Sequence, residues 1–218
     1  YIMFFIIYAL IAIASSINIY KFLYIPKKGT NKLDIKIIFK SASNNLGIYI
    51  SNEGLALLGI ILVGFFLYAE DVAAYNIVFR VAFIIYLSRI IASAYYEREF
   101  SLLFSSNKNS ELLLKFYESL RSVGIISGLI FILIFSFGEF ILSIFGQEYV
   151  EYYSLLVIML IGMFFNSFGG IFGSFIIMIG KESLVNLTYF ICLLISLSIS
   201  ILMIPQFGIY GAGIAFVI

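Results

Sequence analysis

The sequence has no histidine, one cysteine (Cys192), and charge on only 11% of its residues. A single cysteine excludes an intramolecular disulfide framework, and without histidine there is little basis for a Cys/His metal site. Soluble domains carry about 25% charged residues, so the shortage of charge points away from water. The net charge of +1 gives no footprint for nucleic acid. No nucleophile stands with a base, and there is no P-loop and no metal cage. "GAGIAF" lacks the third glycine and the preceding strand of a dinucleotide fingerprint. The expectation is a non-enzyme without a cofactor and without nucleic acid as a partner.

Apolar residues fill the chain instead. Hydrophobic residues make up 63% of 218, and the mean hydropathy is +1.12. Such a chain belongs in a bilayer. About 20 apolar residues cross it as a helix. Spans are expected at 1–25, 45–68, 72–95, 122–145, 152–179 and 184–204, with a seventh starting near Ile209. The runs are too long, and alternate too little, for a β-barrel. The fold class is therefore all-α, a polytopic transmembrane helix bundle. Tyr1 is not an initiator Met, and no basic region precedes the first run. The last run stops soon after it starts. Both edges read as cuts through a longer protein.

The loops carry the orientation. "YKFLYIPKKGTNKLDIKIIFK" holds Lys21, Lys27, Lys28, Lys32, Lys36 and Lys40. The 97–121 stretch holds Arg98, Lys108, Lys115 and Arg121, and "GKES" holds Lys181. The alternate loops, "YAED", "GQEYVE" and "PQFG", contain no Lys or Arg, and the first two hold Glu70, Asp71, Glu148 and Glu151. The positive-inside rule makes the basic set cytoplasmic. Within 97–121, "SELLLKFYESL" has helical apolar spacing. It reads either as an interfacial helix or as an inward extension of the fourth span.

Polar groups at bilayer depth are costly, about 2.5–3.5 kcal/mol each for ionisable ones on insertion scales, and so mark function. The second span carries Asn44, Asn45, Asn52 and Glu53, the third Asn76, Arg80 and Arg89, the fifth Asn166. At 1.5 Å per residue, Glu53 lies roughly 4 Å inward of the middle, Arg89 roughly 7 Å inward and Arg80 roughly 6 Å outward. Glu53 and Arg89 match in depth and are expected to pair, with Arg80 free in a cavity. A buried ion network without a ligand, and an Arg89 that snorkels to the headgroups, stay open as alternatives. Gly124/Gly128 and Gly169/Gly173 are G-x-x-x-G pairs, read as helix-packing positions, and the run "NSFGGIFGSF" is read as a place where the fifth helix can bend. "NLT" at Asn186 falls at the cytoplasmic edge and reads as a chance acceptor match. Pro205 is expected to end the sixth span and Gly208 to reverse the chain.

The order Ile-Pro-x-x-Gly-Ile-x-Gly-Ala-x-Ile-Ala, from Ile204 to Ala215, resembles the late-helix signature of polysaccharide (O-antigen) flippases. These belong to the multidrug/oligosaccharidyl-lipid/polysaccharide exporter superfamily. "FGQEYVEYYSLLVIMLIGMFFNSFGG", "MIGKESLVN" and "AEDVAAYNIVFRV" are similar to further turns and helices of that family. The resemblance implies 12–14 helices in two lobes around a cavity. Residues 1–25 would be the last helix of the N-terminal lobe and 26–44 a cytoplasmic Lys-rich linker. Residues 45–218 would be the C-terminal six-helix lobe, truncated in its last helix. It also implies a bacterial inner-membrane location and, as partners, membrane lipid and an undecaprenyl-pyrophosphate-linked oligosaccharide, with a polysaccharide polymerase as a candidate partner. Arg80, Arg89, Glu53 and Asn52 are the expected cavity residues. A small-molecule exporter of the same superfamily is the first alternative. A non-transporting scaffold docking through residues 110–121 is the second.

Overall fold

The computed structural model describes residues 35–217, so the first expected span and most of the linker lie outside the described residues. The chain divides into two compact units, Tyr1–Lys40 and Ser41–Ile218, and the second carries the bundle. Its helices are α1 (Ile35–Phe66), α2 (Ala69–Ala82), α3 (Leu87–Ser105), α4 (Asn109–Phe145), α5 (Tyr153–Met178), α6 (Glu182–Phe207) and α7 (Ile209–Val217). Short 3₁₀ segments, Phe83–Tyr86 and Gln147–Tyr152, join α2 to α3 and lead into α5. No strand occurs among the described residues. In lipid the backbone must satisfy its own hydrogen bonds, which selects helices for runs this apolar. Five segments are long and apolar enough to cross a membrane: Ser41–Phe66, Ala69–Ser105, Asn109–Phe145, Gln147–Met178 and Glu182–Phe207. This is an all-α, multi-pass membrane protein.

Helix α1 starts at Ile35, inside the stretch read as linker. The two readings of 97–121 are resolved as well. Residues 109–121 are the first turns of α4, not a separate surface helix. Leu112 and Phe116 are buried with Tyr96 and Phe100 of α3, which draws this segment into the bundle and leaves Leu113, Leu114 and Tyr117 exposed.

Turn chemistry sets the ends. Glu70 and Asp71 sit in the first turn of α2, where carboxylates favour the positive end of the helix dipole. The Tyr68 N–H donates to Asp71 Oδ2 at 3.2 Å. Pro205 does not stop α6. It lies in the last turn, and the helix runs on to Phe207. Proline there still forgoes the N–H bond to Ile201 O, four residues back, and the helix carries that one lost bond within its last turn. The reversal comes at Gly208, φ +58°, whose N–H still bonds Ile204 O at 2.8 Å.

The contacts fix the helix directions. Gly47 meets Asn186 and Gly54 meets Leu193, so α1 and α6 run parallel. The Ser41 hydroxyl donates to Glu182 at the same end. Gly59 and Gly64 meet Tyr75 and Val72, so α1 is antiparallel to α2. Two cores result. Tyr75, Val78, Ile85, Leu142, Leu155, Leu156, Met159, Leu160 and Ile204 form the larger one. The smaller one has an aromatic centre: Phe100 lies edge-on to Phe175 at 5.3 Å, and Phe116 lies 4.5 Å from Phe175. Lys108, Lys115 and Lys181 lie near the turns at this second end. The Asn186 amide of the Asn-Leu-Thr match rests against Gly47.

Candidate functional site

Both membrane-depth arginines lie on the rod formed by α2, the 3₁₀ turn and α3. Arg80 is exposed on α2, and its Nε donates to Asn76 Oδ1, one turn back, at 2.8 Å. The i, i+4 spacing places the two on one face. This bond takes up one of five guanidinium donors and leaves the forked end uncommitted.

Arg89 is partly buried. Its Nη1 donates to the Tyr86 hydroxyl at 2.6 Å, and its Cζ stands 5.0 Å from the centre of the Tyr86 ring. The side chain crosses to α5 over Gly170, where any Cβ would overlap its Nε and Cδ. The Tyr189 hydroxyl of α6 lies within its electrostatic and hydrogen-bonding reach. Arg89 is therefore enclosed by α3, α5 and α6 and held by the Tyr86 phenol and a glycine gap, with the Tyr189 ring nearby.

Glu53 is exposed on α1, and Asn52 beside it is half-buried. The expected Glu53–Arg89 pair does not form. Among the described residues the ion pairs are Lys108–Glu111 and Lys115–Glu118, both within α4. The depth match does hold: Gly54 faces Leu193, and Arg89 sits by Tyr189, one turn away on the same helix. The pair fails because α1 turns its glycine face to the bundle and Glu53 away from it. Neither arginine has a carboxylate partner among the described residues.

Beside Arg89 a cleft of ≈ 470 Å³ opens between α5 and α6. Gly162, Gly169 and Gly173 line one wall, Thr188, Tyr189 and Cys192 the other. The two G-x-x-x-G pairs thus do different things. Gly124 takes the Phe168 ring and Gly128 the Phe164 ring, which is helix packing. Gly169 has nothing within 4 Å of where its Cβ would be, so it lines open space. Gly170, outside either pair, is the glycine Arg89 needs. The sequence reading missed Gly170, Tyr86 and Tyr189. The adjacent Gly169-Gly170 was the one local signal, since two glycines in a row in a helix carry a propensity cost of about 1 kcal/mol each.

Nearer the aromatic end a second polar cluster ties three helices together. The Ser174 hydroxyl donates to Glu97 Oε1 at 2.6 Å, and the Tyr96 hydroxyl lies 2.9 Å from Ser122 Oγ. Among the described residues no group of three or more Cys, Asp or Glu side chains is placed to hold a metal ion. No family model, curated protein or solved structure matches this chain, and the functional reading rests on these residues.

Proposed function

We propose that the chain is the C-terminal lobe of a transporter that flips a lipid-linked oligosaccharide outward across a bacterial inner membrane, for surface polysaccharide synthesis. One observation carries this reading. Arg80 and Arg89 are cations at bilayer depth held by neutral partners, an amide and a phenol. A charge at that depth calls for a counter-charge. The pyrophosphate of an undecaprenyl-linked sugar supplies one, and the planar guanidinium suits it through paired N–H donors. Arg80, with its fork free on an exposed face, makes the first contact. No bond is made or broken in flipping. The basic loops lie in the cytoplasm by the positive-inside rule, where such a substrate is assembled.

The test is complementation of a translocase-deficient strain by the intact protein. Arg80→Ala should lose most surface polysaccharide while still reaching the membrane, and Arg80→Lys, which keeps the charge but not the fork, should retain part. Full activity of Arg80→Ala at normal abundance defeats the reading. Arg80→Glu with Glu53→Arg separates substrate contact from structural pairing: full recovery in the double variant would make Arg80 a structural partner.

A second reading has its own observation. Glu53 is an exposed carboxylate with no ion pair among the described residues, a group suited to a cationic small molecule. Loss of resistance to cationic dyes in cells lacking the gene, with surface glycan intact, would favour that exporter.

A further inference from the structure

The two cores are separate, and the rod, α4 and α5 run through both. On the rod the larger core ends at Ile85 and the smaller begins at Ala92. On α4 the limits are Ile134 and Val123, and on α5 Met163 and Ile171. The residues buried between those limits are Ser88 on the rod, Ser127 on α4, and Ser167 and Gly170 on α5. They share one level. Gly124 takes the Phe168 ring and Gly128 the Phe164 ring, which sets Ser127 and Ser167 within about a turn of each other. Arg89, next to Ser88, lies over Gly170. At this level the apolar packing of three helices gives way to hydroxyls and bare backbone.

Each hydroxyl is turned onto its own helix. Ser88 Oγ donates to Ile85 O at 2.7 Å, Ser127 Oγ to Val123 O at 2.6 Å, and Ser167 Oγ to Met163 O at 2.9 Å. Such back-bonds compete with the backbone ladder and bend helices. The rod adds a sign of its own. Phe83 and Tyr86 have ψ of −17° and −21°, shallower than the −42° of an α-helix, and the Leu87 N–H bonds Ile84 O, three residues back. A 3₁₀ stretch inside a long helix often marks a hinge, and no glycine or proline stands between Phe83 and Arg89 to impose one. The parts on either side are tied firmly. Toward the aromatic end Ser174 bonds Glu97, and Tyr96 lies against Ser122, which joins α3 to α5 and to α4. Toward the other end the Tyr153 hydroxyl donates to Phe135 O at 2.7 Å, joining α5 to α4.

We propose that the serine level is a flexing waist. The aromatic-end parts of α3, α4 and α5 swing as one body against the part that holds the larger core. Arg89 is the clasp. Bonded to Tyr86 in the 3₁₀ segment and laid over Gly170, it couples the rod to α5 where both bend. The "NSFGGIFGSF" run is then one of three flexible points at a common depth. The inference goes beyond the transport reading and does not depend on it.

The experiment is residue-resolved amide hydrogen exchange on the chain in lipid nanodiscs. Water is absent from the bilayer core, so depth alone predicts the slowest exchange at mid-span. The waist predicts the reverse: residues 86–90, 125–129 and 165–170 should exchange about tenfold faster than 96–101, 134–142 and 155–160, because local opening follows the density of buried apolar contacts. Ser88→Ala, Ser127→Ala and Ser167→Ala together remove the back-bonds and should bring the waist to within about twofold of its flanks. Ser127→Ala alone should slow the α4 segment about threefold and leave the rod and α5 unchanged, which keeps the comparison intact if the triple variant does not fold. Arg89→Lys keeps the charge, loses the bond to Tyr86, and should speed exchange at the rod and α5 segments of the waist while both cores stay as they were. Small residues also let helices pack closely and rigidly. Waist protection equal to or above that of the flanks would show that they do so here and overturn the inference. Fast exchange that survives the serine changes, or an Arg89→Lys effect spread evenly through both cores, overturns it as well.

Discussion

Arg80 and Arg89 stand nine residues apart on one helical rod and are held in opposite ways. Arg80 leans back on its own helix, bonded to Asn76, and faces outward. Arg89 reaches away from its helix into a space that two others leave for it, over Gly170 and between Tyr86 and Tyr189. In a straight α-helix, nine residues would set them about 180° apart around the axis. The four-residue 3₁₀ segment between them, at about 120° per residue, shifts that by about 80°. The same side chain on the same rod thus becomes an exposed cation in one place and a structural tie in the other. What separates them is the surroundings each helix face meets, not charge or hydropathy.

The comparison is sharpest under substitution. Arg89→Ala should cost the most stability, about 1.5–3 kcal/mol, the range for a lost hydrogen bond to a charged group. The change also leaves the Tyr86 hydroxyl without its donor. Thermal unfolding in a fixed detergent would show it, and an unchanged midpoint would place Arg89 outside the bundle's ties. Gly170→Ala comes next. Helix propensity alone predicts a gain of about 1 kcal/mol, but overpacking costs typically 1–3 kcal/mol, and here the new methyl meets the Arg89 chain. A net loss of about 1 kcal/mol is expected, and a net gain would break the picture of Arg89 crossing at that glycine.

Arg80→Ala should change stability by less than about 0.5 kcal/mol, as exposed substitutions do, while removing most of the proposed transport. A large stability loss there would erase the contrast between the two arginines. The smallest effect is expected at Gly169→Ala, next in sequence to Gly170 but facing open space. It should be neutral or stabilising by up to about 1 kcal/mol. Opposite signs at residues 169 and 170 in one unfolding assay would confirm that the two neighbouring glycines serve different ends.

Much of the bundle was legible because bilayer physics acts on composition along the chain. Runs such as 122–145 and 184–204 are too apolar and too long for anything but a spanning helix, and the structure puts α4 and α6 there. Ends were less legible. Pro205 looked like a stop, yet the helix absorbs one lost N–H bond and runs two residues further, to Phe207. Residues 109–121 read equally as a separate surface helix or as an extension of the fourth span, and they are continuous with it, because Leu112 and Phe116 have α3 to bury against.

The site was legible only as a list of residues. Sequence alone placed Glu53, Arg80 and Arg89 within runs long and apolar enough to cross a membrane, since position along a span follows from counting 1.5 Å per residue along a helix. It could not determine which way each side chain points. Direction depends on the face that each helix turns to its neighbours, and that is decided by close packing among helices far apart in the chain. The glycine face of α1 turned Glu53 outward, and the Gly170 gap drew Arg89 inward.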